Sequence, residues 1–387
     1  MKNKWAEVSI LDVAPITSKL VDPKDEKYSS MILIAPDHIQ SESGQIIAKA
    51  TAREQNAISG KYLVKKGDVI YSKIRPYLKK VCIAPEDCLC SADMYPFSCT
   101  EQINSKYLQT LLLSKQFTDY ANSCSARTGI PKINRDDIAL FFCKIPPIPE
   151  QEKIAETLSI WDSAIEKTEK LIALEEKKLS AFAIKLFSGK SIFQTKNICL
   201  TDLLKEKSDL STGFEEVFSV SVHKGLVNQI EHLGRSFAAK NTDNYNLVKY
   251  GYLVYTKSPT GDFPYGIVKQ SSIKKDVIVS PLYGIYEPAS NEIGLLVEFF
   301  FESPIRCKNY LYPLIQKGAK NTISISNQDF LKGKINFPAN EKDITRIADY
   351  IRLSKEYISL LNNQLEQYKL QKQGLMQKLL TGEWRVK

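Results

Sequence analysis

The chain repeats itself at half its length, and a repeat on that scale fixes architecture before any single element does. Leu63-Val64-Lys65-Lys66-Gly67-Asp68-Val69-Ile70-Tyr71-Ser72-Lys73 matches Leu247-Val248-Lys249-Tyr250-Gly251-Tyr252-Leu253-Val254-Tyr255-Thr256-Lys257, with six of the eleven positions identical. Further on, Ile154-Ala155 aligns with Ile347-Ala348, and Leu186-Phe187-Ser188-Gly189 with Leu379-Leu380-Thr381-Gly382. The order is domain, helix, domain, helix. A chain of 387 residues is too long for one ordinary core.

The helical parts carry a seven-residue apolar period. Leu158, Ile165, Ile172, Leu179 and Leu186 recur at that spacing, with Ile154, Trp161 and Phe182 on companion positions and Thr168 and Glu175 as weak ones. The second copy has Ile351, Ile358, Leu365 and Leu379, with Ile347, Leu361, Tyr368 and Leu375 as companions, and Lys372 interrupts it. Such a period is a coiled-coil seam. About 37 residues make a rod of roughly 55 Å, which needs a partner along its length. The other copy, folded back antiparallel across the intervening domain, is the simplest one. Pro149-Glu150 suits a helix start, and Gly189 and Gly382 stand where helices end. The run Ile145-Pro146-Pro147-Ile148-Pro149 reads as a stiff extended hinge.

The expected fold is therefore α/β (α+β): two globular domains separated by two long antiparallel coiled-coil helices in a pseudo-two-fold repeat. The boundaries read as domain one over 1–148, central helix 149–190, domain two 191–340 and C-terminal helix 341–387. Strand-like runs are Lys65–Ser72, Val81–Ala84, Leu247–Thr256, Asp276–Ser280 and Gly294–Phe301; helix-like runs are Ser105–Tyr120 and Arg306–Gln316.

Composition narrows the function. Net charge is +9, and the segments 150–190 and 341–387 hold only +2 of it, so the basic excess lies in the globular parts. That balance is compatible with nucleic acid. No apolar run approaches the roughly 18 residues of a membrane span, and the N-terminus does not read as a signal peptide, so a cytoplasmic protein is expected. The eight cysteines and three histidines have no metal-ligand spacing, and buried reduced thiols are expected.

Catalytic motifs are wanting. Gly189-Lys190-Ser191 lacks the upstream glycine of a phosphate loop, where Ile184 stands, and it follows a helix instead of a strand. No Asn/Asp-Pro-Pro-aromatic methyltransferase motif occurs. Asp68 is replaced by Tyr252 in the repeat, so it reads as a turn residue before a strand.

The passage from Ile145 through Glu150-Gln151-Glu152-Lys153-Ile154-Ala155-Glu156-Thr157-Leu158 to Asp162 and Ile165 resembles the central region of Type I restriction–modification specificity subunits. So do the patterns around Gly67-Asp68-Val69-Ile70, Arg127-Thr128-Gly129-Ile130-Pro131-Lys132-Ile133 and Leu379-Leu380-Thr381-Gly382-Glu383-Trp384. The second copy departs from the pattern: Asp343 and Lys355 stand around the places of Glu150-Gln151 and Asp162, and its hinge Ile335–Ala339 has one proline. The resemblance implies a non-catalytic subunit whose two recognition domains each read half of a split double-stranded DNA site. It implies methyltransferase subunits, two of them, docked on the helices, and motor-nuclease subunits joined through the complex. S-adenosylmethionine would sit on the methyltransferase partner, with no cofactor or metal on this chain.

Candidate DNA-contacting residues follow from chemistry, since arginine forks onto guanine and lysine meets phosphate. In the first domain they are Tyr71, Lys73, Arg75, Tyr77, Lys79 and Lys80, with Arg127, Lys132 and Arg135 in the loop before the hinge. In the second they are Thr256, Lys257, Ser258 and Lys269, with Lys320 and Asn321 in the corresponding loop; Arg235 and Lys240 are further options. A fused restriction–methylation polypeptide and a coiled-coil scaffold that binds only protein are the alternatives.

Overall fold

The computed structural model describes residues 5–17, 19–125, 129–190, 192–230, 242–317 and 323–386. It forms two units, Met1–Lys170 with Asn362–Lys387, and Leu171–Leu361.

Apart from short segments, the first half of the chain runs β1 (Ala6–Ser9), β2 (Lys61–Val64), β3 (Val69–Ser72), β4 (Val81–Ile83), β5 (Cys88–Cys90), β6 (Met94–Phe97), α1 (Ser105–Leu113), α2 (Lys115–Ser125), α3 (Arg135–Ala139), β7 (Phe142–Ile145) and α4 (Ile148–Phe187). The second half runs β8 (Thr195–Cys199), β9 (Leu204–Lys207), β10 (Asn246–Val248), β11 (Leu253–Tyr255), β12 (Val268–Gln270), β13 (Val277–Val279), β14 (Gly284–Pro288), α5 (Asn291–Phe301), α6 (Pro304–Leu311), α7 (Asn327–Lys332), β15 (Lys334–Pro338) and α8 (Glu341–Leu380).

The duplication holds at the level of pairing. β1 pairs antiparallel with β7, as β8 does with β15, so in each copy the strand before the long helix is tied to the start of the repeat. β2 pairs with β5 as β10 does with β13. The order β4-β3-β6 recurs as β12-β11-β14, and β9 adds a strand outside β14. Gly67 and Gly251 occupy the same turn, at φ 91° and 83°, a region a side chain would strain. Asp68 is buried there and accepts from the Lys65 amide at 3.1 Å, which is the turn role expected of it. Burial raises its pKa.

Some elements depart from expectation. Gly294–Phe301 is not a strand but most of α5, capped by the Ser290 hydroxyl, which accepts from the Ile293 amide. Leu296, Val297, Phe299 and Phe301 are all buried. A helix apolar on every side has no period to betray it, so composition alone suggested a strand. Ser105–Tyr120 likewise breaks into α1 and α2 at Ser114.

The long helices pair antiparallel within each unit. In the first, Trp161 packs edge-on against Tyr368 and Asp162 pairs with Lys372, while Ile154 and Leu158 share a core with Leu379. In the second, Phe182 packs on Tyr350, and Leu179, Leu186, Ile347 and Ile351 join one core with Ile358 against it. Ile172, Leu361 and Leu365 are also buried, whereas Trp161, Ile165, Ile358 and Leu375 are half-buried. The interruption at Lys372 is thus a seam ion pair. The helix ends do more than meet each other: Ile154 packs with Ile10 and Tyr107, and Leu186 with Leu200 and Phe337. Gly189 and Gly382, at φ 73° and 74°, follow the two helix ends.

Helix α4 begins at Ile148, and its Gln151 is fully buried. The Gln151 side chain accepts from the Asn104 amide at 2.9 Å and donates to the Gln102 and Pro146 carbonyls at 2.9 and 2.8 Å. Glu150 forks onto Arg385. The second copy lacks this latch; there Asn340 caps α8 by accepting from the Asp343 amide. Gln151→Ala leaves three backbone groups unpaired, and is expected to destabilise the first unit by about 2–4 kcal/mol, read as a lower urea midpoint.

All eight cysteines are free; those at 82, 88, 90, 143 and 307 are buried. Burial pushes the Cys82, Cys88 and Cys307 thiols up to about 12, so they stay protonated and inert. Among the described residues no group of side chains could hold a metal ion, and no helix is long and apolar enough to cross a membrane.

Candidate nucleic-acid interface

In the first unit a long-range pairing gathers the basic residues. The Arg75 amide donates to the Pro131 carbonyl at 2.7 Å, the Ile133 amide to the Lys73 carbonyl at 3.0 Å, and Ile74 bridges Lys132. The segment after β3 is thereby stitched to the segment before α3. Lys73, Arg75, Lys132 and Arg135 come together from positions some sixty residues apart in sequence.

Two tyrosines organise the cluster. The Lys73 ammonium lies 5.4 Å and the Arg135 guanidinium 5.6 Å from the centre of the Tyr95 ring. Arg135 also donates to the Tyr62 hydroxyl at 3.3 Å. Burial raises the pKa of Tyr95, keeping it a neutral platform under two cations. Among the described residues, no carboxylate lies within ion-pair distance of Lys73, Arg75, Lys132 or Arg135. Their charge is free for an anionic partner.

The turn that carries Arg75 is strained. Arg75 and Lys79 are both left-handed, at φ 50° and 48°, on either side of the short helix Pro76–Leu78. A non-glycine residue there costs on the order of 1–2 kcal/mol, and the surrounding bonds hold it in place. The result presents Arg75 and Tyr77 to solvent.

Other candidates have different places. Tyr71 is 1% exposed and packs edge-on against Phe117, so it is a core residue and not part of the surface. Strand β3 is buried on both faces, which its Val-Ile-Tyr-Ser run does not reveal. Lys79 is engaged by Glu42 at 3.0 Å, and Lys80 donates to the Pro36 carbonyl at 2.6 Å. Arg127 lies outside the described residues.

In the second unit, Lys257 and Ser258 are exposed just beyond β11. Thr256 is 4% exposed and its hydroxyl accepts from the Ile267 amide, which makes it structural. Lys269 also belongs inside: it faces Glu298 at 3.4 Å, both side chains largely buried, beside the Lys355–Glu302 pair. Burial raises the Glu298 pKa, and the two lysines oppose that shift. Lys320, Asn321, Arg235 and Lys240 lie outside the described residues. Tyr62 and Tyr95 were not singled out from sequence, because only the fold sets them under the cations.

Comparisons place the chain. Residues 2–176 match the family model of the Type I restriction modification DNA specificity domain. The specificity subunit of the Type I restriction enzyme EcoDI from Escherichia coli is 41% identical over 168 residues, which are 43% of this chain and 37% of that relative. The MjaVIII specificity subunit from Methanocaldococcus jannaschii is 25% identical over 297 residues, 69% of this chain and 68% of its own length. The fold resembles the S subunit of a Type-I restriction-modification system from M. genitalium, with a TM-score of 0.58 and 15% identity over 98% of this chain and 97% of that one. A chain from another solved type I R-M system gives the same TM-score at 14% identity, with 98% of each chain covered. Residues 2–176, just under half of the chain, are thus similar to the Type I restriction modification DNA specificity domain, and the fold of the whole chain resembles that of a Type-I restriction-modification S subunit.

Proposed function

We propose that this chain is the DNA-reading subunit of a Type I restriction–modification complex, that each unit reads one half of a split, asymmetric site, and that the long helices carry methyltransferase subunits. It performs no chemistry; S-adenosylmethionine resides on the methyltransferase partner, and cleavage belongs to further subunits. The observation that carries the reading is the group Lys73, Arg75, Lys132 and Arg135, four cations without carboxylate partners among the described residues, in the segment that matches a DNA specificity domain. Phosphate contacts from lysines position such a protein, and base-edge contacts from arginine specify the sequence.

A selection of sites from a randomised duplex library by the full chain with its methyltransferase partner tests this. Two enriched half-sites at a fixed separation are expected; enrichment of none overturns the reading. The purified chain alone is expected neither to methylate nor to cleave DNA, and label transfer from S-adenosylmethionine that a single substitution in this chain abolishes would contradict it. Arg75→Ala is expected to cost about 1–3 kcal/mol of discrimination at one half-site only. Equal loss on DNA altered in either half-site would assign Arg75 to phosphate contact.

A further inference from the structure

The duplication identifies what occupies, in the second unit, the place of the first unit's cationic cluster. Tyr71 and Tyr255 are equivalent in the repeat; Tyr71 pairs with Tyr95 across the sheet, and Tyr255 with Gly284. Gly284 therefore stands where the first unit has its Tyr95 platform. Lys257 stands where Lys73 does. The helices α3 and α7 begin alike, Asn134 and Ser326 as caps with Asp137 and Asp329 three residues on. That register sets Asn327 in the place of Arg135.

The second site has different chemistry. Asn327 donates through Nδ2 to Glu206 Oε1 at 2.9 Å. Glu206 lies on β9, and no strand stands outside β6 in the first unit among the described residues. Glu206 is half-buried, and among the described residues nothing hydrogen-bonds its second oxygen. Asn327 Oδ1 is buried with no hydrogen-bond partner, an unusual vacancy for a polar atom. Its space exists because residue 284 is glycine: a Cβ there would stand 3.0 Å from Oδ1 and 2.7 Å from the Tyr286 hydroxyl. Desolvation lowers the Lys257 pKa, and Glu206 acts on it in the opposite sense.

We infer that Glu206, positioned by Asn327 beside Lys257, is a base-reading group of the second unit and accepts the exocyclic amino group of an adenine or cytosine in the major groove. The inference rests on the proposed reading of one half-site per unit. A carboxylate repels phosphates, so on a DNA-facing surface it has no use as a backbone contact. The amino groups of adenine and cytosine are the major-groove donors that complement it. Lys257 supplies the phosphate contact that offsets its charge. The two units then differ in kind: an arginine reader suited to guanine acceptors in the first, a carboxylate reader suited to amino donors in the second.

The test is a selection from a randomised duplex library with full-length wild type, Glu206→Gln and Asn327→Ala, each with the methyltransferase partner. The wild-type result alone decides whether two half-sites are read. Given that, Glu206→Gln keeps the shape but adds a donor. It is expected to lower discrimination about tenfold to a hundredfold at one base pair of one half-site, and to admit thymine or guanine there. The base enriched by wild type at that pair distinguishes adenine from cytosine. Asn327→Ala is expected to blur the same pair without a new preference. Unchanged preferences in both variants, a change in both half-sites, or uniform weakening across all sequences overturns the assignment.

Discussion

Exchange of residues 191–340 for the corresponding segment of a Type I specificity subunit is expected, on the proposed function, to replace one half-site completely and leave the other intact. The basis is the separateness of the cores. The second unit builds its core from β8–β15, α5–α7 and its own lengths of the long helices, whereas the first unit draws on Ile10, Tyr107, Phe117, Ile154 and Leu379. Strands β8 and β15 pair with each other and both lie inside the exchanged segment, so the graft carries its own closure. The residues that must still fit include Leu186, Phe187, Ile347 and Ile351 on the retained helices, Phe187 against Phe299 and Phe300. A wholly mismatched half-site loses several base pairs at about 1–3 kcal/mol each, so the old sequence should bind worse by at least a thousandfold. Sequencing of the methylated sites in cells carrying the hybrid and its partner reads the outcome. Change in both half-sites would mean that the two units are not independent readers.

The parts of this molecule legible in its sequence are those whose cause is local. The seven-residue period of Leu158 to Leu186, the glycines at 189 and 382 and the turn at Gly67 each follow from residues within a turn or two of one another. The internal repeat extended that legibility, because two copies must fold alike. Readings failed where burial decides. Tyr71 stood in a row of basic and aromatic residues, yet the strand that bears it is buried on both faces. Lys269 read as a free cation, yet Glu298 on α5 faces it.

The candidate interface is the least local feature. Nothing near Lys73 in sequence announces Tyr95 or Arg135; the pairing of residues 73–75 with 131–133 brings them together. In the second copy Gly284 and Asn327 share no resemblance with their counterparts Tyr95 and Arg135, and Glu206 stands on a strand without a counterpart in the first unit among the described residues. A signal was nevertheless present, in the capping pairs Asn134 with Asp137 and Ser326 with Asp329, which carry the repeat register to the candidate interface. Recognition surfaces in duplicated readers must diverge while their supports stay fixed, so equivalence has to be traced through the supports.

Insertion of one heptad into both long helices is expected to lengthen the preferred spacer between half-sites by about three base pairs. The insertion points are between Lys170 and Leu171 in α4 and between Leu361 and Asn362 in α8, where each helix passes from one unit to the other. Trp161 against Tyr368 on one side and Phe182 against Tyr350 on the other show that the helices run opposite ways, so insertions at matched depth preserve every pair. Seven residues add roughly 10 Å to a helix, and duplex DNA rises about 3.4 Å per base pair. Seven residues turn a straight helix to within about 20° of two full turns, so the seam still faces its partner. Three base pairs, by contrast, rotate the far half-site by roughly 100° about the DNA axis. Affinity should therefore fall even as the spacer grows, while both half-site sequences stay fixed. One heptad in a single helix instead leaves its knobs without holes, and should destabilise the pair and abolish site selection. Selection from a library with randomised spacers reads the double insertion, with thermal unfolding and co-purification of the methyltransferase partner confirming an assembled complex. An unchanged spacer in that assembled complex would show that the helices do not set the distance.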